Sequence, residues 1–233
     1  MMTIGIQSEP APIMVMPPVF KRTSLSTLFV QSPEISLKKG KVIFSGHNGH
    51  QHVYLVTKGM VKLYSYHDGK EMMEDYFLKG ELINCHIFST NERTDLVAET
   101  MSQSTCIRKL PVQSFRQAIE HDPLLYKEIL TSISNSLERT QERLRRLTLL
   151  DSRKRIIHFL LSHTKKAGRR VGYEFVIKPA ITHKEMGTIA GTSRQTATTV
   201  LNELRSKGII HFNRSYIIVR NLEALEAVAG IKS

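Results

Sequence analysis

The sequence predicts an α+β protein in three parts: an antiparallel β-roll or jelly-roll, one long helix, and a closing pair of short helices followed by a hairpin. Three observations carry this. Short β-rich runs broken by turns recur from Ile35 to about Leu110. Apolar residues then alternate spacings of four and three from Tyr126 to Leu147, and a second amphipathic pattern surrounds Gly191. The expected parts are a flexible tail over 1–20, an effector-binding roll over 21–122, a dimerisation helix over 123–150 and a DNA-binding domain over 151–233.

The stretch Met1 to Phe20 holds four prolines and no early positive charge, so it lacks the charged start and continuous apolar core of a signal peptide. No apolar run reaches membrane-spanning length. Cys85 and Cys106 are too few for a disulfide framework or a four-cysteine cluster. These features point to a cytoplasmic protein with no membrane partner.

Strands are expected at Val42-Ile43-Phe44, Val53 to Val56 and Met60 to Tyr64, with Lys58-Gly59 as a turn. His67-Asp68-Gly69-Lys70 carries the Asp-Gly signal of a tight hairpin before Glu71 to Leu78. Leu96 to Thr100 and Thr105 to Leu110 complete the roll, whose interior is filled by its own side chains or by a ligand.

A helix starts near Leu124, after Asp122-Pro123. Tyr126, Leu130, Ile133, Leu137, Thr140, Leu144 and Leu147 form an a/d heptad seam with one polar member, Thr140. A helix covered only by its own domain usually shows a wider stripe, so the seam points to a homodimer. Arg139, Arg143, Arg145 and Arg146 are assigned to the solvated flanks.

Beyond Asp151, Arg153 to Thr164 reads as a helix, Gly168 to Gly172 as a loop and Phe175 to Ile177 as a strand. Thr182 and Glu185 form a capping box. Met186, Ile189 and Ala190 supply an apolar stripe before Gly191, which takes the positive φ of a tight turn. Thr192 or Ser193 caps a second helix, whose Ala197, Val200, Leu201 and Leu204 face inward until Gly208 stops it. Ile209 to Phe212 and Tyr216 to Val219, joined by Asn213-Arg214-Ser215, make a wing, with Arg214 at its tip open to phosphate contact or to simple solvation. This is a winged helix-turn-helix.

The outward face of that second helix carries Gln195, Thr199, Asn202 and Ser206, with Thr198 beside them and Arg194 at the rim. Arg suits guanine O6 and N7, and Gln pairs bidentately with adenine. Capping with Thr192 is the other role open to Gln195. The expected contacts to double-stranded DNA are Thr182, Ser193, Arg194, Gln195, Thr196, Thr198, Thr199 and Asn202. Of the formal charge of +12, the 83 residues from Asp151 onward contribute 15 Lys+Arg against 6 Asp+Glu. Basic charge therefore travels with the helix-turn-helix, as phosphate neutralisation requires.

A strand roll, a long heptad helix and a C-terminal winged helix-turn-helix, with Ser193-Arg194-Gln195-Thr196 before Leu201-Asn202-Glu203-Leu204 and Leu150-Asp151 at the hinge, resemble the Crp/Fnr family of bacterial transcription regulators. The resemblance covers about Ile35 to Ala224. It implies base reading by Arg194, Gln195 and Thr199, a homodimer on a pseudo-palindrome and, in an activator, RNA polymerase as a partner. Many relatives carry Glu in place of Gln195 and Arg in place of Thr199, which sets the operator apart from the usual half-site.

The resemblance also implies an effector site. Gly80-Glu81-Leu82 matches the family's cyclic-nucleotide pocket, Arg93-Thr94 is its imperfect counterpart beyond a loop two residues longer, and Thr140 and Gln141 are the polar residues of the long helix. Glu81 would accept a ribose hydroxyl and Arg93 pair with phosphate, although Asp95 beside that phosphate is repulsive. The cofactor stays open between a cyclic nucleotide, haem and none. Haem comes second: Ser-Arg-Gln-Thr is similar to the carbon-monoxide-sensing branch, and Cys85 and His86 are competent axial ligands, but they are adjacent and the branch's N-terminal proline is missing. His50 and His52 suggest a cupin metal site and hence a metalloenzyme, yet no Glu follows, and a polar loop fits better. With no nucleophile–base pair or Gly-rich phosphate loop, the chain reads as a regulator and not an enzyme.

Overall fold

The computed structural model describes residues 24–46, 51–83, 95–178 and 181–230. The expected tail over 1–20, His50, Cys85, His86, Arg93 and Thr94 lie outside the described residues.

Among the described residues, eight strands build the first domain: β1 (Ile35–Lys38), β2 (Val42–Ser45), β3 (His52–Lys58), β4 (Met60–His67), β5 (Lys70–Leu78), β6 (Leu82–Ile83), β7 (Val97–Thr100) and β8 (Ser104–Pro111). They form two four-stranded sheets, ordered β1-β8-β3-β6 and β2-β7-β4-β5, with antiparallel pairing throughout. The Asp-Gly turn joins β4 to β5 with Asp68 at φ 50° and Gly69 at φ 72°, both in the left-handed region that a two-residue hairpin needs.

Val53 to Val56 are all buried because the sheet is covered on both faces. Tyr54 and Val56 point into the roll with Phe44, Leu63 and Ile107. Val53 and Leu55 point outward, under helices α1 (Leu25–Phe29), α2 (Val112–Glu120) and the start of α3 (Pro123–Leu149), where Phe29, Phe115, Ile119, Leu125 and Ile129 meet them. The sequence reading missed α1, α2 and β6.

Asp122 caps α3 by accepting from the amides of Leu124 at 3.0 Å and Leu125 at 3.2 Å, with Pro123 at the first helical position. The 27 residues of α3 give a rod of roughly 40 Å. Its packing stripe is not the heptad stripe. Leu125 and Ile129 are buried, whereas Tyr126, Leu130, Leu137 and Leu144 are 50%, 46%, 57% and 64% exposed.

After the Leu150-Asp151 hinge come α4 (Ser152–Ala167), β9 (Arg169–Val171), β10 (Glu174–Ile177), α5 (His183–Ile189), α6 (Arg194–Ser206), β11 (Ile210–Phe212), β12 (Ile217–Val219) and α7 (Leu222–Ala229). The expected loop at Gly168 to Gly172 is instead mostly strand. Arg169 to Val171 pair with β10 as the edge of a sheet ordered β11-β12-β10-β9, and only Gly172, at φ 61°, turns. Cross-strand pairing overrides the polar composition there.

The two domains share one core. Met60, Met73 and Met101 of the roll cluster with Ile156, Leu160, Ile177, Met186 and Leu201 of the C-terminal domain. At this seam Tyr76 packs edge-on against Phe159 and His163, and His163 stacks on Phe159 with ring centroids 5.6 Å apart. His163 is 1% exposed; its Nδ1 lies 3.4 Å from the Tyr76 hydroxyl, and among the described residues its Nε2 has no hydrogen-bond partner.

Burial, aided by the Lys166 charge, pulls the His163 pKa from 6.5 down to about 4. The folded chain therefore holds the neutral ring, and this contribution is whole above pH 6.5 and lost as pH falls through 4. Urea titrations of wild type and His163→Leu should diverge over that window. Wild type should lose on the order of 2–3 kcal/mol more than the variant; parallel pH profiles would contradict the assignment.

Candidate nucleic-acid interface and ligand cleft

α5 and α6 form a tight helix-turn-helix. The Thr182 hydroxyl accepts from the Glu185 amide at 3.2 Å, and the Glu185 carboxylate accepts from the Thr182 amide at 2.8 Å, completing the expected capping box. Gly191 turns the chain at φ 62°. Ser193, not Thr192, caps α6, accepting from the Thr196 amide at 3.0 Å. With Thr196 at that position, Gln195 closes no capping box.

A glycine that sequence reasoning passed over controls the helix pair. A Cβ on Gly187 would stand 2.8 Å from the Ser193 carbonyl oxygen, so this residue sets how closely α5 approaches the start of α6. Its signal was a glycine inside a helical pattern. Arg155 was also missed. Its guanidinium donates to the carbonyls of Ala190 at 2.8 Å, Gly191 at 3.0 Å and Leu150 at 2.8 Å, tying the turn to the hinge. Arg153 grips Glu203 through two hydrogen bonds of 2.6 and 3.0 Å and, with Lys207, pulls that carboxyl down to about 2. α6 is thereby anchored to α4 along its inward side.

Ala197, Val200, Leu201 and Leu204 are buried, and the opposite face is bare. Arg194, Gln195, Thr199 and Asn202 are exposed, and Thr196 is half-buried. Among the described residues, the side chains of Arg194, Gln195 and Asn202 form no hydrogen bond within the chain. Thr198 differs: its hydroxyl donates to the Arg194 carbonyl at 2.9 Å and lies 2.9 Å from His183 Nδ1. Burial and then the Arg194 charge lower the His183 pKa, keeping its ring neutral against Phe212. Thr198 is thus committed to holding α5 against α6. Thr182 and Ser193 serve as caps.

The second feature is a cleft of about 950 Å³ between the roll and α3, lined by Gly80, Glu81 and Leu82 on one side and Ser136, Arg139 and Thr140 on the other. Gln141 is exposed outside it. Glu81 is already engaged. Its carboxylate accepts from the Leu78 amide at 2.7 Å and stands 3.0 Å from Lys166 Nζ and 3.7 Å from Arg139 Nη1. Thr140 donates to the Ser136 carbonyl.

The solvated arginine flank expected on α3 holds only for Arg145. Arg139 pairs with Asp75 at 3.0 Å, Arg143 donates to the Glu74 carbonyl at 2.9 Å and Arg146 pairs with Glu142 at 2.9 Å. Arg139 and Arg143 thus pack on β5 and Arg146 turns toward Ser162 of α4, contacts that the heptad count does not register. Of the histidine pair, His52 lies in β3 with its ring 6.1 Å from Tyr54, and among the described residues no group of three His, Cys, Asp or Glu could hold a metal. No helix among them is long and apolar enough to cross a membrane.

A roll with a cleft against a long helix, which leads to a winged helix-turn-helix with an exposed polar face, defines a DNA-binding architecture. Residues 34–122 match the cyclic nucleotide-binding domain, and residues 154–228 match the Crp-like helix-turn-helix domain. The cAMP-activated global transcriptional regulator CRP of Salmonella typhimurium is 25% identical over 182 residues, 78% of this chain and 86% of the relative. The global nitrogen regulator of Synechococcus elongatus is 26% identical over 193 residues, 81% of this chain and 86% of the relative. Among solved structures, FixK2 from Bradyrhizobium japonicum superposes with a TM-score of 0.73 at 21% identity, over 84% of this chain and 96% of that one. The chain belongs to the Crp/Fnr family of transcription regulators, with a cyclic-nucleotide-binding-type domain and a helix-turn-helix DNA-binding domain.

Gly187→Ala should force α5 and α6 apart. Thermal melts should show a loss of about 1–3 kcal/mol, the usual cost of overpacking, and DNA affinity should fall further than the stability loss explains. Arg155→Met should leave the roll intact by circular dichroism but raise hydrogen exchange at the Ala190-Gly191 turn.

Proposed function

We propose that this protein is a homodimeric, sequence-specific regulator that reads a pseudo-palindromic operator with Arg194, Gln195, Thr199 and Asn202, under control of a small effector bound between the roll and α3. The single observation behind the reading role is the polar face of α6. Its inward side is fixed by Arg153 and four buried apolar residues, while among the described residues the outward side chains of Arg194, Gln195 and Asn202 form no hydrogen bond within the chain and Thr199 donates only to the Gln195 carbonyl at 3.1 Å.

Dimerisation rests on the bare heptad stripe. Tyr126, Leu130, Ile133, Leu137, Leu144 and Leu147 are all exposed in the single chain, at the spacing of a two-stranded seam, with Thr140 the polar member that fixes register. Two copies joined along it would place two α6 helices in successive major grooves. The regulator would work in the cytoplasm and, as an activator, meet RNA polymerase.

The cleft residues Glu81 and Thr140 support a cyclic nucleotide, the ligand named for one relative. Glu81 also faces Lys166 of the DNA-binding domain, so a ligand hydroxyl claiming that carboxylate would compete with an interdomain ion pair. Effector binding would then shift the population of domain arrangements through this one group.

Selection of duplexes from a random pool should yield a symmetric site. On it, Arg194→Ala or Gln195→Ala should relax preference at single positions and cost about 1–3 kcal/mol, whereas Arg214→Ala should weaken all sequences equally. Equal losses on specific and random duplexes for Arg194→Ala would remove the base-reading role. Leu137→Glu should shift sedimentation to a monomer and abolish operator binding. In calorimetric titrations with cyclic AMP, Lys166→Met should bind more tightly than wild type; no binding by either would rule out this effector.

A further inference from the structure

A second cavity, separate from the effector cleft, lies at the junction of the two domains. It measures about 260 Å³ and is walled by β5, α3, α4 and α5. Arg139 lines both spaces, so the ion pairs of Arg139 and Lys166 with Asp75 and Glu81 run between them.

The chemistry of this cavity is two-sided. Met73, Tyr76, Leu147, Phe159, Ile189 and Ala190 give it apolar and aromatic walls. Five cationic side chains line it against the three carboxylates of Glu74, Asp75 and Glu142. Four of the five cations are accounted for. Arg139 and Lys166 pair with Asp75 and Glu81, Arg146 with Glu142, and Arg155 donates to three carbonyls.

Arg143 remains. Among the described residues its one hydrogen bond is from Nη1 to the Glu74 carbonyl, and Nε is buried with no acceptor. Burial lowers its pKa, with the Glu74 and Asp75 charges acting the other way. One turn earlier on the same face, Arg139 Nε is likewise buried without an acceptor. Leaving a buried donor unmet is costly, and more so for a charged group. The two arginines that carry these donors lie on one helix face and both line one cavity with an aromatic floor, so together they are the complement of an anionic head on a flat apolar body.

We infer that this interdomain cavity is a binding site for a small aromatic or branched anion, its carboxylate or phosphate accepting from Arg143 and Arg139 and its body lying against Phe159 and Tyr76. The volume falls just under the roughly 300–1,000 Å³ typical of drug-sized ligands, so the ligand is fragment-sized. Because its walls come from both domains, an occupant would hold the DNA-binding domain against the roll in the arrangement described. The site does not depend on the effector reading, because Arg143 does not line the effector cleft.

The test uses the full chain with benzoate and phenyl phosphate as probes and neutral benzamide as the control, followed by calorimetry and thermal shift. Saturable binding of the two anions and not of benzamide is expected. Arg143→Lys, which keeps the charge but removes Nε, should weaken it at least tenfold. Ala190→Leu, which fills the cavity and leaves both arginines in place, should do the same if Arg143→Lys fails to fold. Ser132, on α3, lines the effector cleft and not this cavity, so Ser132→Phe, which blocks that cleft instead, should leave the anion affinity within twofold of wild type. No saturable binding, equal binding of benzamide, binding that survives Ala190→Leu, or binding lost in Ser132→Phe would each overturn the proposal; the first would mean the donors are met by water only.

Discussion

The long helix α3 answers to two surfaces at once, and the arrangement of the molecule depends on how it divides them. Leu125 and Ile129 anchor its first turns on the outer face of the β1-β8-β3-β6 sheet, and Arg139 and Arg143 hold its second half to β5. The heptad stripe, rotated away from both, is left to solvent by the single chain. Burying six large apolar side chains there would contribute substantially, since each is worth about 1.5–3 kcal/mol when fully removed from water. On the proposed dimer, the same rod that positions the DNA-binding domain relative to the roll would also supply the surface through which a second copy is positioned.

From that rod the geometry passes to α6 through few groups. Arg155 bridges the α3–α4 hinge at Leu150 and the helix-turn-helix turn at Ala190 and Gly191. The turn is also pressed by α3: a Cβ on Gly191 would meet Leu147 Cδ2 at 2.6 Å. Lys39 reaches Glu185 at 3.4 Å from the roll, and Lys166 reaches Glu81 from α4. These pairs are only partly buried and, still open to solvent screening, contribute little to stability on their own. Their weight is orientational, because the apolar seam around Met60, Met73 and Met101 already holds the domains together.

Much of this was legible in the residues. Alternation and the Asp-Gly turn placed the main strands of the roll, and Thr182, Gly191 and Gly208 bounded the recognition pair, because each signal is local and has a backbone cause. α7 was overlooked although Asn221 caps it, Leu222, Leu225 and Ala229 give it helical spacing, and Gly230 ends it at φ 79°. α2 had Phe115 and Ile119 at a spacing of four. By contrast, nothing local distinguishes Arg139 and Arg143 from Arg145: which arginines leave solvent is decided by where β5 lies, a tertiary fact. The same holds for Thr198, whose outward position on a helical wheel conceals its bond to His183, and for Glu81, whose match to a pocket motif concealed its link to Lys166.

The account stands or falls on two α6 helices being carried at a fixed separation by paired α3 rods. Hydroxyl-radical footprinting on the best duplex from selection measures this directly. Two protected patches on one side of the duplex, centred roughly 10–10.5 base pairs apart, are the predicted result. A single patch, or two whose separation varies freely from duplex to duplex, would contradict it.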